Sequence, residues 1–199
     1  MTSRFDNLIY VCLVVYISIC SLISCKSLTT QTALNIPVIE LISGKQQPII
    51  QKTAAYYAVV FFSPTCPVCR STIVEIEDLG AKFNDSVLSI AVVLPPACLA
   101  DTLLLKQEFT RPLANIHFYA DKNFLLARAL HAKITPQGYL LNKNGEILYT
   151  GMLNDYYINI NVHRIQISRH YIDEAIMADI NHLPVKSSHT LPIGCYIEY

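Results

Sequence analysis

The sequence predicts an α/β domain whose helices flank a central mixed sheet in three layers. Three observations carry that expectation. Runs at 56–63, 86–94 and 115–120 are dense in β-branched and aromatic residues, as strands buried on both faces are. Segments with helical spacing alternate with them, and such alternation makes βαβ units and a largely parallel sheet. Asn144-Gly145 then joins two short strands within 138–151, a two-residue signal for an antiparallel hairpin that makes the sheet mixed.

Taken in chain order, residues 36–51 alternate around Gly44 and read as a short hairpin or an extended lead-in. The run 56–63, YYAVVFFS, is the first buried strand. Cys66 and Pro67 follow it. From Val68 to Phe83 the residues Ile73, Ile76, Leu79 and Phe83 share one helical face, while Glu75, Glu77 and Asp78 read as solvated charges. The second strand, 86–94, is broken by Pro95-Pro96. A helix over 98–109, a third strand over 115–120 and a helix over 122–132 precede the 138–151 hairpin. The tyrosine-rich stretch 154–164 reads as a β-rich connection. The last helix, 169–183, turns Tyr171, Ala175, Ile176 and Ile180 to the core. The folded domain is therefore expected over 36–183, with an irregular tail over 184–199.

The N-terminus reads as an export signal. A short polar start with Arg4 leads into an apolar run from Leu8 to Ile23, about 16 residues, whereas a membrane-spanning helix needs roughly 20. The run ends in Leu22-Ile23-Ser24-Cys25, which resembles a bacterial lipobox. That resemblance implies a signal peptide over 1–24, lipid on Cys25 and a polar tether over 25–35. It places the body on the extracytoplasmic, periplasmic side of a bacterial envelope. An uncleaved signal anchor is the alternative; either way the thiols meet an oxidising compartment.

Composition narrows the function. The chain is 52% hydrophobic and 15% charged, with a net charge of zero. No basic excess suits nucleic acid, and no acidic run marks a disordered tail. Cys12 and Cys20 fall in the signal, which leaves Cys66, Cys69, Cys98 and Cys195 in the folded part. Only the first two are paired by spacing.

A Cys-x-x-Cys alone is weakly specific. Haem attachment would need His after the second Cys, where Arg70 stands. Structural zinc would need a second ligand pair at short spacing; His163 and His170 are seven apart in another segment. No metal ligand and no cofactor is assigned. The redox reading has positive support, because Cys66 falls where a strand ends and a helix begins, with Pro67 at the first helical position. A helix start stabilises a thiolate. Cys69 is one turn inside and expected to be shielded, so Cys66 attacks from an exposed position and Cys69 resolves. A structural disulfide and a metal clip remain the alternatives.

Together, VVFFSPTCPVCRSTIVEI and ITPQGYLLNKNGEILYTG resemble the redoxin branch of the thioredoxin superfamily, close to the TlpA-like extracytoplasmic thiol–disulfide oxidoreductases. The resemblance covers roughly 36–151. It implies a thioredoxin-like three-layer fold with an extra βα element over 86–132. Pro136, after Thr135, matches the proline that faces the dithiol, usually across a cis peptide. The implied substrate groove takes in Thr135, Pro67 and Val68. Implied partners are protein or small-molecule thiols and disulfides, a membrane or periplasmic redox partner and, through the lipid, a membrane. The sequence departs from thioredoxins in having Pro64-Thr65 where a Trp usually precedes the first Cys.

Two other functions stay open. A peroxiredoxin-like thiol peroxidase would use Cys66 on peroxide, yet Val59 and Ser63 stand where that family has Pro and Thr. A binding module would hold copper or another soft metal on the dithiol. For the remaining residues the plainer readings are preferred. Cys98 packs as a small apolar residue at a helix start. A Cys98–Cys195 bridge is an alternative. His117 and His131 are structural, although His131 is close enough to Pro136 in sequence to tune the dithiol. The tail resembles C-terminal extensions of some redoxin-domain proteins that end in Gly-Cys-x-Ile, and Cys195 receives no role from it.

Overall fold

The computed structural model describes residues 35–50, 54–112 and 114–199. The expected signal over 1–24, the lipid site at Cys25 and all but the last residue of the tether lie outside the described residues. Among the described residues no helix is long and apolar enough to cross a membrane.

The chain opens with a hairpin, β1 (Pro37–Glu40) and β2 (Gln46–Pro48), turned by Gly44 at φ 69°. The Glu40 carboxylate holds that turn, accepting the N–H groups of Ile42 at 3.1 Å and Ser43 at 2.7 Å. Then come β3 (Tyr56–Phe61), α1 (Pro67–Ser71), α2 (Ile73–Lys82) and β4 (Leu88–Leu94). A 3₁₀ turn over Pro96–Asp101 runs into α3 (Thr102–Glu108), followed by β5 (Ile116–Ala120), α4 (Leu125–Ala129) and β6 (Ile134–Thr135). The expected hairpin of β7 (Gln137–Asn142) and β8 (Ile147–Gly151) forms, but its loop is three residues, 143–145, between the paired Asn142 and Glu146, with Gly145 alone at positive φ, 80°. A small hairpin, β9 (Tyr157–Asn159) with β10 (Val162–His163), precedes α5 (Tyr171–Ile180); β11 (Cys195–Tyr196) lies in the tail.

The main sheet has the order β2-β1-β5-β4-β3-β7-β8. The expectation of a largely parallel sheet is corrected. The sheet is mixed, as the closing hairpin implied, but only the β3–β4 and β4–β5 pairs are parallel, because a hairpin adds antiparallel strands at each side. Alternate residues of β3 feed two cores, which makes the three layers. Tyr56, Ala58 and Val60 face one core with Ile73, Ile76 and Leu79 of α2 and Ile172, Ala175 and Ile176 of α5. Val59 and Phe61 face the other with Leu126 and Ala127 of α4 and Ile197 of the tail. Each fully buried side chain of that size stabilises the fold by about 1.5–3 kcal/mol.

The single helix expected over 68–83 is two. Thr72 returns both its N–H, at 2.9 Å, and its hydroxyl, at 2.7 Å, to the Cys69 carbonyl. Such side-chain competition with the backbone bends helices. Glu75 and Glu77 are not solvated charges. They are buried, because segments distant in sequence supply donors to both. Glu75 meets Nδ1 of His170 at 2.8 Å and the Asn154 amide at 3.2 Å. Glu77 accepts the N–H groups of Thr110 at 2.7 Å and Arg111 at 2.9 Å. The helix expected over 122–132 contracts to α4; the Asp121 carboxylate accepts the Ala127 N–H at 2.8 Å, and exposed His131, at φ 55°, follows its end.

The tail has no regular element besides β11, yet backbone hydrogen bonds tie it to the domain. Thr150 of β8 donates to Ser188 and accepts from the Thr190 N–H, both at 3.0 Å. The Thr190 hydroxyl accepts the Met152 N–H at 2.9 Å. Further on, β11 pairs antiparallel with β6, Cys195 opposite Thr135 and Tyr196 opposite Ile134.

Candidate active site

Cys66 ends the loop after β3 and caps α1, with Pro67 in the first helical turn, where a missing N–H is no loss. Its N–H donates to the Ser63 carbonyl and its carbonyl accepts the Arg70 N–H, both at 3.1 Å. Cys69, one turn on, is fully buried, and its sulfur accepts the Ser63 N–H at 3.3 Å. Opposite stands Thr135-Pro136, joined by a cis peptide. The Cys66 thiol donates to the Thr135 carbonyl at 3.4 Å, and the Thr135 hydroxyl donates to the Cys195 carbonyl at 3.4 Å. Of the residues singled out for this site, Cys66, Cys69, Thr135 and Pro136 come together. Val68 shares a shallow cleft with Pro136, while Pro67 points to solvent.

The two sulfurs have opposite electrostatics. Cys66 is held down to about 5. A hydrogen bond from the Cys69 thiol is the largest cause; burial opposes it, and the Cys195 thiol and the N–H groups of Cys69 and Val68 add to it. The Thr135 carbonyl favours the protonated thiol and works against the drop. Cys69 is pushed well above an ordinary thiol, first by burial and then by its hydrogen bond to Cys66 and the charge there. The Ser63 N–H offsets this only in part.

One expectation is corrected. Cys66 is not exposed at the helix start; it is 2% exposed. The tail strand β11 lies along Thr135, beside it, and Cys195 brings its own thiol to the Cys66 sulfur. Sequence reasoning left Cys195 without a role. The Gly-Cys-x-Ile element was its signal, although nothing in its spacing pointed to residue 66. Ser63 was also missed. Its N–H serves Cys69, and its hydroxyl accepts from the Cys98 thiol at 3.2 Å. Cys98 is buried, as expected of a small apolar residue, and burial raises its thiol. All four described cysteines are free thiols, and Cys195 approaches Cys66 rather than bridging Cys98. Among the described residues no group of three or more His, Cys, Asp and Glu side chains is placed to hold a metal ion.

No family model matches the chain, and no curated protein matches it. Solved structures do. A hypothetical protein from Sinorhizobium meliloti 1021 has a TM-score of 0.68 at 16% identity, covering 81% of this chain and 90% of that one. An uncharacterized conserved protein from Geobacillus kaustophilus has a TM-score of 0.65 at 19% identity, over 83% and 90% of the two chains. A thioredoxin-like protein from Aeropyrum pernix has a TM-score of 0.51 at 13% identity, over 67% and 90%.

Proposed function

We propose, from the premise that this chain has the thioredoxin-like fold, that it is a thiol–disulfide oxidoreductase working through Cys66 and Cys69. The observation that carries this reading is the asymmetry of the two sulfurs. One is a ready thiolate, and the other is a shielded thiol within hydrogen-bonding reach of it. In the reducing direction the Cys66 thiolate attacks one sulfur of a partner disulfide. The partner's other sulfur leaves as a thiolate and takes a proton. Cys69 then attacks the Cys66 sulfur, the second partner thiol departs, and Cys66–Cys69 is left as the disulfide. Exchange in the oxidising direction is the reverse.

The same contacts explain the order of events. While Cys66 is charged, it holds the Cys69 proton in place. Once Cys66 is tied into a mixed disulfide that charge is gone, and the Ser63 N–H is left to favour the Cys69 thiolate. With the neighbouring Cys195 replaced by Ser as well, Cys69→Ser should therefore trap a covalent adduct with the partner, visible on a non-reducing gel, and Cys66→Ser should trap none. Equal alkylation rates at both sulfurs with no adduct would overturn the reading. Hyperoxidised Cys66 without an adduct would point to peroxide chemistry instead.

The lipobox-like Leu22-Ile23-Ser24-Cys25 supports a lipid anchor on Cys25 and an extracytoplasmic site of action. The partners are then protein or small-molecule thiols and disulfides, with a membrane or periplasmic redox protein to renew the dithiol. Mass spectrometry of the mature protein should find lipid on Cys25, and Cys25→Ser should leave an unprocessed precursor.

A further inference from the structure

A substrate that brings its sulfur to Cys66 must run along Thr135, because the Cys66 sulfur lies 3.4 Å from the Thr135 carbonyl. That edge is taken. The chain's own β11 pairs with it, with Cys195 directly opposite Thr135 and its carbonyl accepting the Thr135 hydroxyl at 3.4 Å, which sets the Cys195 side chain beside the Cys66 sulfur. The approach is shaped for this. A Cβ on Gly194 would fall on the Thr135 carbonyl and against Pro136, so only glycine lets the tail come so near. The strand is held on both flanks. Before it, Thr190 is clipped to β8. After it, the Ile197 N–H donates to the Lys133 carbonyl at 2.8 Å and the Ile197 side chain is buried in the second core.

We propose that the tail is a tethered substrate strand and that Cys195 is a third exchanging thiol of the site. The proposal rests on the oxidoreductase reading. In the oxidised protein the Cys195 thiolate attacks the Cys66 sulfur of the Cys66–Cys69 disulfide. The Cys66–Cys69 bond breaks, a Cys66–Cys195 bond forms, and Cys69 leaves as a thiolate that takes the proton Cys195 gave up. Nothing is oxidised or reduced overall; the disulfide changes place within the chain. External substrates compete with the tail for the Thr135 edge, and Cys66 stays covered until one displaces it.

The test uses the full chain with Cys69→Ser and oxidised glutathione as the probe. Cys66 takes up one glutathione and releases the other; Cys195 then displaces the first. The expected product has two reduced glutathiones released, a protein mass lower by two hydrogen atoms, and a Cys66–Cys195 crosslink in the non-reducing peptide map. Glutathione retained on Cys66 with Cys195 still open to alkylation would overturn the proposal. A Cys66–Cys98 crosslink would overturn it too. In a second arm, Gly194→Ala lifts the tail while leaving the dithiol intact. It should raise the rate on a peptide disulfide by about tenfold, as removal of a docked competitor does. An unchanged rate in a folded Gly194→Ala protein would again overturn the proposal; if that variant does not fold, the crosslink alone decides. The two failures are distinguishable. A wild-type chain that never exchanges with glutathione fails as an oxidoreductase and takes this proposal with it, whereas one that exchanges but leaves Cys195 free fails only here.

Discussion

The Cys66 sulfur gathers donors from its own turn, from Cys69 and from the tail. An ordinary thiol ionises near about 8.5, so a midpoint of about 5 leaves Cys66 a thiolate at neutral pH. The sign is fixed by the donors, which favour the charged form. Thiolate absorbance of the reduced protein should therefore show one group titrating near about 5. Cys69→Ala removes the largest of the donors and should move that midpoint upward; a midpoint that stayed in place would mean that other donors set it. At this scale the sequence placed Cys66 at the start of a helix and Cys69 one buried turn inside it, because Cys-Pro-x-Cys after a buried strand is local information. It did not disclose Cys195, or the burial of Glu75 and Glu77. Their partners lie at residues 66, 154 and 170, and 110 and 111, beyond the reach of any helical or strand period.

Among the elements, α2 is the clamp. Glu77 holds the loop after α3 by its backbone, Glu75 meets His170 at the start of α5, and Lys82 reaches Asp173 at 2.7 Å. Only the first of these satisfies backbone donors with a buried carboxylate. Glu77→Ala should thus cost about 1–3 kcal/mol in denaturant unfolding by leaving those N–H groups without an acceptor. Glu77→Gln keeps an acceptor oxygen and should recover most of the loss. The exposed Lys82–Asp173 pair should contribute little by comparison. Long buried strands and the Asn-Gly hairpin were legible as elements, since their residues bury on both faces or favour a turn. The two-residue β11 was not. Tyr196 is 81% exposed, and the pairing is set by an edge at Ile134–Thr135 rather than by any pattern of its own.

For the whole molecule, the three layers were readable from the alternation of buried strands with helical segments, while the share of antiparallel pairing was not. Hairpins at both ends of the sheet order put β2 and β8 at its margins. An open margin is a template on which other chains add strands and aggregate. At β2 the hazard is small, because the strand has three residues and ends in Pro48. At β8 it is met by residues 188–190, which cover the backbone of Thr150. The segment that leads to β11 thus also closes part of that margin. Thr190→Pro removes both the N–H and the hydroxyl that fasten it, so light scattering should rise with concentration in that variant and not in the parent. If a lipid crowds many copies onto one membrane face, the colloidal stability of the whole population depends on a clasp a few residues long.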